Sequence, residues 1–387
     1  MNIKNMPTCS GALLVSWLLV MPAFLAAAPL QSFNWGFQID PPEEYQFVEG
    51  DGKQRFSFRS PEGAQLDLVV YAGDAYPSAE ALAEDVRRRL GNQGDISGFE
   101  YRTKKAALME LRFRGPGNRA ISEGWGLCIE LDQQGTETSH PLLLALAYGP
   151  AGQGQLQGVY LSALDSIAPT PSDRRAPGPI TEFGYPRGAR KQMPLAGVPV
   201  KALFAQDDAE AAQALVDREF AVLHRYAASP HWKEAWTRFY RTIYRDSFER
   251  LANAAFILER YWQAPGLEPR ELAEKALSWV QTFTYERDLQ GSDFVNLVSA
   301  VLEGRGDCDS RALLWAIILE QANIPAAIMV SRDYSHAMGL ADLPGTGARF
   351  DLEGRQWLVA ETTAPVALGL IGASVSDRAH WLGMVFE

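Results

Sequence analysis

Residues 304–326 read GRGDCDSRALLWAIILEQANIPA and set the architecture of the second half of the chain. The apolar run inside this stretch predicts a buried helix, which we expect to end at Asn323. Cys308 lies at the start of that helix, between Asp307 and Asp309. A cysteine that serves only for packing usually lies within an apolar run. The position of Cys308 at the polar edge of the run therefore indicates a chemical role.

A thiol at the first turn of a helix has much of what nucleophilic catalysis requires. Unpaired backbone N–H groups and the helix dipole favour the thiolate, and the same amides can hold an oxyanion. Asp307 and Asp309 oppose ionisation of the thiol by charge repulsion, so a cationic neighbour is needed. His336 is the candidate for that neighbour and for the base, and Glu361 is the candidate for the acid that orients it. Cys308, His336 and Glu361 would then form a Cys–His–carboxylate triad.

The segments around Cys308 predict helices followed by an antiparallel sheet. Three long runs with helical spacing precede it, DDAEAAQALVDREFAVLHRYA, HWKEAWTRFYRTIYRDSFERLANAAFILERYWQ and EPRELAEKALSWVQTFTYERD. Strand-like runs follow it, AAIMVS, SHAMGLADL, RFDLEG and RQWLVAETT. Alternation along these strands puts His336 on the face of Leu340, and Glu361 on the face of Val359. If the two strands are neighbours, the carboxylate reaches the imidazole.

Three blocks of this half, GDCDSRALLWAIILEQANIPA, SHAMGLADL and WLVAETT, resemble the signature blocks of the transglutaminase-like superfamily, in particular its bacterial cysteine peptidases. In that family the nucleophile begins a helix, a histidine begins a strand and an aspartate ends the next strand. The resemblance implies a papain/transglutaminase-like α+β domain over residues 200–387. It also implies that Cys308 is the nucleophile, His336 the base and Glu361 the orienting acid.

The chain departs from the family pattern at two positions. Met338 stands where the family often has an aromatic residue soon after the histidine, and the acid is Glu361 followed by threonine rather than aspartate followed by proline. Serine hydrolases use either acid to orient their histidine, so the glutamate is a variation of the same device. For the oxyanion, the Cys308 amide is the first candidate, with Trp279 and Gln281 as alternatives.

The first half of the chain predicts a different α+β unit. Between residues 33 and 167, strand-like runs such as AQLDLVVYA, AALMELRFR and GWGLCIEL alternate with two helical segments, which predicts a two-layer α+β domain. The pattern resembles the photosystem PsbP family, which implies an accessory or binding domain without catalytic residues. Residues 168–199 are rich in Pro, Gly and Arg and are predicted to be a linker. The fold class predicted for the whole chain is therefore α+β.

The N-terminus predicts export. Residues 1–28 contain an apolar run that ends in small residues, as a secretory signal peptide does, and an uncleaved anchor that associates with the membrane is the alternative. We expect a periplasmic or envelope-associated protein. In that compartment Cys128 and Cys308 could form a disulfide, but they fall in separate predicted domains, so a free and reactive Cys308 is the favoured interpretation.

Composition and motifs exclude several classes of function. Acidic residues number 47 against 36 basic ones, a net charge of -11, and this excess opposes binding to nucleic acid. No zinc-ligand spacing, phosphate-binding loop, dinucleotide fingerprint or EF-hand loop occurs in the sequence, so we expect no cofactor and no metal.

These observations predict an exported thiol enzyme that cleaves or transfers amide bonds through an acyl-enzyme. A protein or peptide is the expected substrate, and with water as the acceptor the protein is a peptidase or amidase. Two alternatives stay open. With an amine as the acceptor it would be a cross-linking transglutaminase, and without catalysis it would be an envelope binding protein that uses the same fold.

Overall fold

The structure is a computed structural model that describes residues 29–92, 94–115, 120–133, 139–176, 189–262, 267–287 and 292–386. Its helices and sheets confirm the predicted α+β class. The predicted signal segment and residues 177–188 of the predicted linker lie outside the described residues. Within the described ranges, no helix is long and apolar enough to cross a membrane.

The first half is built on a seven-stranded antiparallel sheet. The described strands of this half are β1 (Leu30–Gln31), β2 (Gln38–Ile39), β3 (Gln46–Gly50), β4 (Arg55–Arg59), β5 (Gln65–Tyr71), β6 (Ile96–Tyr101), β7 (Lys104–Arg114), β8 (Ile121–Glu130) and β9 (Leu142–Pro150). The large sheet has the order β3-β4-β5-β9-β8-β7-β6, while β1 pairs with β2. The predicted strands in this half are confirmed.

Two helices pack on opposite faces of this sheet. Helix α1 (Ala79–Leu90) begins after its N-cap residue Ser78 and covers the face that carries Cys128. Helix α2 (Gln157–Asp165) covers the face that carries Leu127 and Ile129. Successive residues of a strand point to opposite faces, and both faces of β8 are apolar. A helix therefore covers each face, one layer more than the two predicted from the sequence.

The described part of the second half contains a hairpin, five α-helices, a short parallel strand pair and a second, larger sheet. The elements are β10 (Arg190–Pro194), β11 (Lys201–Ala205), α3 (Asp208–Tyr226), α4 (Trp232–Tyr261), α5 (Pro269–Val280), β12 (Thr284–Tyr285), α6 (Leu297–Glu303), β13 (Arg305–Gly306), α7 (Cys308–Gln321), β14 (Ala326–Ser331), β15 (His336–Ala341), β16 (Arg349–Leu352), β17 (Arg355–Ala360) and β18 (Leu382–Met384). Strand β10 lies inside the segment predicted to be a linker, and it pairs with β11.

The second sheet is antiparallel, with the order β16-β17-β15-β14-β18, and α7 packs against its centre. Residues of α7 are buried on all sides, because α4 and α5 cover the part of the helix that the sheet does not. Gly339 of β15 has no side chain, which allows α7 to approach the sheet closely. A Cβ atom built at Gly339 would lie 2.4 Å from Cε3 of Trp315, a fully buried residue of α7. This packing fixes α7 relative to the strand that begins with His336.

A set of buried ion pairs joins the first half of the chain to α3 and α4. Asp40 accepts hydrogen bonds from Arg241 at 2.7 Å and from Arg245 at 3.0 Å. Glu219 accepts from Arg238 at 2.8 Å and from the hydroxyl of Ser162 at 2.9 Å. Paired charges in a water-poor interior hold their geometry, because separating them leaves a buried charge uncompensated. The first half therefore fixes the position of α4.

Candidate active site

The nucleophile candidate lies at the first residue of a capped helix. The side chain of Asp307 accepts the amide of Ser310 at 2.9 Å and so caps α7, and Cys308 is the first helical residue. The turn before it requires Gly304, which has a φ of +67° and ends α6. Cys308 is 7% exposed, so only an edge of the side chain reaches solvent. This arrangement agrees with the helix start predicted from the sequence.

His336 and Glu361 lie together at the ends of neighbouring strands. Nε2 of His336 and Oε2 of Glu361 are 2.8 Å apart, and β15 pairs with β17 in antiparallel register. The other oxygen of Glu361 accepts the amide and the hydroxyl of Thr363 at 2.8 and 2.6 Å. Burial raises the pKa of Glu361, but the hydrogen bonds from His336 and Thr363 outweigh it and hold this pKa below its usual value. An ionised Glu361 leaves Nδ1 of His336 as the nitrogen that can accept a proton.

The sulfur of Cys308 is surrounded by hydrogen-bonding groups. Its thiol donates to Oδ1 of Asp309 at 3.4 Å, and Oδ2 of Asp309 accepts the hydroxyl of Tyr240 at 2.6 Å. The backbone amide of Ala337 lowers the pKa of the thiol and the thiol raises the pKa of Tyr285, so both groups lie near the sulfur. Ala337 follows His336 in β15, so His336 is the first residue of the strand that lies beside the sulfur.

The thiol of Cys308 is harder to ionise than the sequence led us to expect. Burial raises its pKa first, and the charges of Asp309 and Asp307 raise it further, while the amide of Ala337 lowers it. The expectation relied on His336 as a cation beside the sulfur. In the structure the imidazole is committed to Glu361 through one nitrogen, and a carboxylate is the closer partner of the thiol. The resting form is therefore the neutral thiol.

Cys308 and His336 line one cleft of about 250 Å³. Its inner wall is aromatic and apolar, from α3, α4 and the start of the segment before α6. The residues of that wall are Phe220, Leu223, Trp236, Phe239, Tyr240 and Phe294. At the rim, Arg287 and Asp293 form an ion pair at 2.5 Å, and Arg332 lines the cleft near His336. The cleft thus offers an apolar wall and a charged rim beside the thiol.

Trp279 and Gln281, the alternative oxyanion donors expected from the sequence, both donate to backbone carbonyls in the structure. Trp279 donates its indole N–H to the carbonyl of Ala196 at 2.8 Å, and Gln281 donates to the carbonyl of Glu361 at 2.8 Å. Both donors are therefore turned to structural acceptors and not to an oxyanion beside Cys308. Met338, which stands where the family that the sequence resembles often has an aromatic residue, is fully buried in the sheet.

The residues that reasoning from sequence did not find come from distant parts of the chain. Tyr240 belongs to α4, Tyr285 belongs to β12, and the ring of Trp381 lies 6.2 Å from that of His336 in an edge contact. Only Tyr285 had a signal in the sequence, since it closes the aromatic run at the end of the predicted helix before Cys308.

The described residues contain no group of three or more His, Cys, Asp or Glu side chains placed to hold a metal ion. Cys128 and Cys308 are both free and buried. Cys128 is enclosed beneath α1, in a separate apolar cluster from Cys308. The disulfide alternative is therefore absent from this structure, as the favoured interpretation expected.

No protein-family model and no curated protein sequence matches the chain. Two solved structures are similar to parts of it. LpqN of Mycobacterium tuberculosis, which is involved in cell envelope biogenesis, is 14% identical and covers 37% of this chain and 90% of its own, with a TM-score of 0.29. Calcium-bound LapG of Legionella pneumophila is 16% identical and covers 43% of this chain and 81% of its own, with a TM-score of 0.22. TM-scores at this level establish neither a shared fold nor a shared function.

Proposed function

We propose that the protein is an exported thiol hydrolase of the transglutaminase-like cysteine peptidase type, with Cys308 as nucleophile, His336 as base and Glu361 as orienting acid. The observation that carries this proposal is the 2.8 Å contact between His336 Nε2 and Glu361 Oε2, in a cleft that His336 shares with Cys308. Three residue types that form a known catalytic group converge there from a helix start and two strand ends.

The reaction follows from these positions. Nδ1 of His336 takes the proton of the Cys308 thiol, and the sulfur attacks the carbonyl carbon of an amide. The electron pair of the carbonyl moves onto its oxygen, and then returns as the C–N bond breaks. The leaving amine takes the proton from His336, and water releases the acyl group from the sulfur in a second round. Glu361 holds the imidazole in the tautomer that this transfer needs and stabilises the imidazolium.

The cleft supports a peptide substrate with an apolar side chain next to the scissile amide. Its inner wall presents aromatic rings and aliphatic side chains, and burial of a large apolar side chain contributes roughly 1.5–3 kcal/mol. The charged rim faces the polar backbone of such a peptide. We further propose a periplasmic or envelope location, which rests on the predicted signal segment, and a supporting role for residues 33–167, which hold α4 through buried ion pairs.

Mass spectrometry after exposure to a peptide vinyl sulfone tests the proposal. The mature protein is compared at neutral pH with Cys308→Ala, His336→Ala and Glu361→Ala. We expect one label, on Cys308, and strongly slowed labelling in the His336 and Glu361 variants, because the resting thiol needs its base. His224→Ala, on the exposed surface of α3, is the matched control and should label like the wild type.

Equal, slow labelling of the wild type and the His336 variant would mean an ordinary buried thiol. That outcome would favour a binding protein that keeps the fold without the chemistry. A labelled protein that then transfers an acyl group to an added amine faster than to water would instead favour the transglutaminase alternative.

A further inference from the structure

Tyr285 is one of two described phenols that line the cleft. It is half exposed, it shares the cleft with Cys308 and His336, and it lies close enough to the thiol for Cys308 to raise the pKa of Tyr285. The other phenol of the cleft, Tyr240, is buried and donates to Asp309. The two tyrosines therefore play different parts, and the part of Tyr285 is not explained by the triad.

The backbone holds Tyr285 in register with the turn that precedes the nucleophile. Strand β12 pairs in parallel with β13, so that Tyr285 lies opposite Gly306, two residues before Cys308. The amide of Thr284 donates to the carbonyl of Gly304 at 2.7 Å and secures this pairing. A tyrosine positioned by backbone hydrogen bonds keeps its hydroxyl beside the sulfur without relying on a mobile side-chain partner.

A buried arginine lies next to the face of the Tyr285 ring. The guanidinium of Arg311 lies 5.6 Å from the centroid of the Tyr285 ring, and Arg311 is itself fixed by the carbonyls of Gly306 and Phe283 at 3.0 and 2.8 Å. A cation at this distance attracts the face of the ring and favours its observed position. Burial, followed by the charges of Cys308 and Asp307, raises the pKa of Tyr285 to about 12, so its hydroxyl keeps its proton at neutral pH.

Given the proposed function, we infer that the Tyr285 hydroxyl donates a hydrogen bond to the oxyanion that forms when Cys308 attacks a carbonyl, together with the Cys308 amide. Tyr285 lines the cleft that a carbonyl bonded to the sulfur would occupy, and its backbone lies opposite Gly306, so its hydroxyl can face the oxygen of that carbonyl. The amide of Cys308 is the first of α7, and Asp307 caps the Ser310 amide instead of this one. Two donors on adjacent sides of the carbon are the usual composition of an oxyanion hole.

Two reactions of the Cys308 thiol, acylation and alkylation, distinguish a donor to the oxyanion from a residue that only positions the thiol. Acylation by p-nitrophenyl acetate passes through a tetrahedral oxyanion, whereas alkylation by iodoacetamide displaces iodide at a saturated carbon and forms none. Tyr285→Phe should therefore slow acylation of Cys308 on the order of 10²- to 10³-fold, the effect of losing one oxyanion donor, and leave the alkylation rate within about threefold of the wild type.

Both rates are measured on the full chain by mass spectrometry, beside Tyr285→Trp, whose indole N–H can replace the donor, and Tyr261→Phe, an exposed control on α4. Partial recovery of acylation in Tyr285→Trp supports the donor role. Acylation of Tyr285→Phe at the wild-type rate overturns it while leaving the triad intact. A parallel loss of alkylation and acylation also overturns it, since Tyr285 would then act by positioning Cys308. A wild type that p-nitrophenyl acetate does not acylate at Cys308 removes the proposed function, and this inference with it.

Discussion

The thiol of Cys308 donates a hydrogen bond to the carboxylate of Asp309, the next residue in the chain, at 3.4 Å. The same carboxylate accepts the hydroxyl of Tyr240 from α4, so two donors hold it in place beside the sulfur. In this state the thiol proton points to Asp309, and the proposed mechanism requires its transfer to His336. The carboxylate therefore affects the reactivity of the resting thiol.

Replacing Asp309 with asparagine should make Cys308 more reactive. The side-chain amide can still accept from Tyr240 and can donate to the sulfur, so the pKa of the thiol falls from its raised value. The alkylation rate with iodoacetamide at neutral pH should rise, with a net gain of roughly threefold for each unit by which the pKa falls.

The rate is followed against pH by peptide mapping. In the wild type it should still increase above pH 9, the ordinary thiol pKa, and in Asp309→Asn it should level off at lower pH. Asp342→Asn, which alters an exposed ion pair with Arg355, is the control and should leave the profile unchanged. Superimposable profiles for wild type and Asp309→Asn would contradict the prediction.

Because the pKa of Glu361 is lowered in the folded state, the free energy of unfolding depends on pH. An unfolded carboxyl group titrates near 4.5, and in the folded state the hydrogen bonds from His336 and Thr363 keep the group ionised to lower pH. The stabilisation is therefore complete above the unfolded pKa and is lost as the pH falls through the folded pKa.

Urea unfolding at about pH 6 and about pH 3 measures this effect in the wild type and in Glu361→Gln. We expect the wild type to be more stable than the variant at the higher pH, with a smaller difference at the lower pH. A difference that does not depend on pH would mean that the carboxylate charge contributes nothing to the fold.

Removing the charge of Asp40 should destabilise the protein strongly. Asp40→Asn leaves Arg241 and Arg245 without their shared buried carboxylate, and breaking a buried pair in this way costs about 3–5 kcal/mol. Because α4 also carries residues of the cleft, we expect activity to fall together with stability. Chemical unfolding and a steady-state assay on the same samples check both effects.

The surface pair between Arg270 and Glu274 supplies the comparison for Asp40. Glu274→Gln removes one charge of an exposed pair spaced four residues apart on α5 and should change little. If Asp40→Asn proved as mild as Glu274→Gln, the buried pairs would not be holding α4 in place.

Adding one methyl group at Gly339 should disturb the packing of α7 on the sheet. The new Cβ would lie 2.4 Å from Cε3 of Trp315, which is fully buried and cannot retreat. Overpacking of this kind costs about 1–3 kcal/mol. Thermal unfolding of Gly339→Ala should show a lower midpoint, whereas Gly154→Ala, whose Cβ meets no atom within 4 Å, should not. Equal midpoints would show that α7 and β15 can separate without cost.

The elements that reasoning from sequence predicted well are those with strong local patterns. Helix α1 begins after Ser78 as its capping residue predicts, and β5, β7, β8 and β9 coincide with runs of alternating or continuous apolar residues. The start of α7 at Cys308 also followed from local pattern, whereas the pairing of the His336 strand with the Glu361 strand was only a condition in the sequence analysis and is found in the structure. In each predicted case the residues that determine the element are close together in the chain.

The features that escaped prediction depend on residues that are far apart. Asp40 and Arg241 are 201 positions apart, and nothing near either residue marks it as half of a buried pair. Tyr240 donates to Asp309 across 69 positions, so no neighbour in the chain marks its contact with the site. The order of the seven-stranded sheet, in which β9 lies between β5 and β8, likewise depends on pairings that local periodicity does not encode.

Helix α4 forms ion pairs with the first half of the chain and also lines the cleft. This double contact affects what an isolated second half would show. Excising the second half by genetic truncation or by a protease would remove Asp40, Glu43 and Asp165, and would uncover the arginines of α3 and α4 that pair with them. In such a fragment these arginines would lose their partners in the first half, although Glu219 would still pair with Arg218 and Arg238. Its stability and its binding to anions would therefore reflect an altered charge pattern and not that of the intact protein.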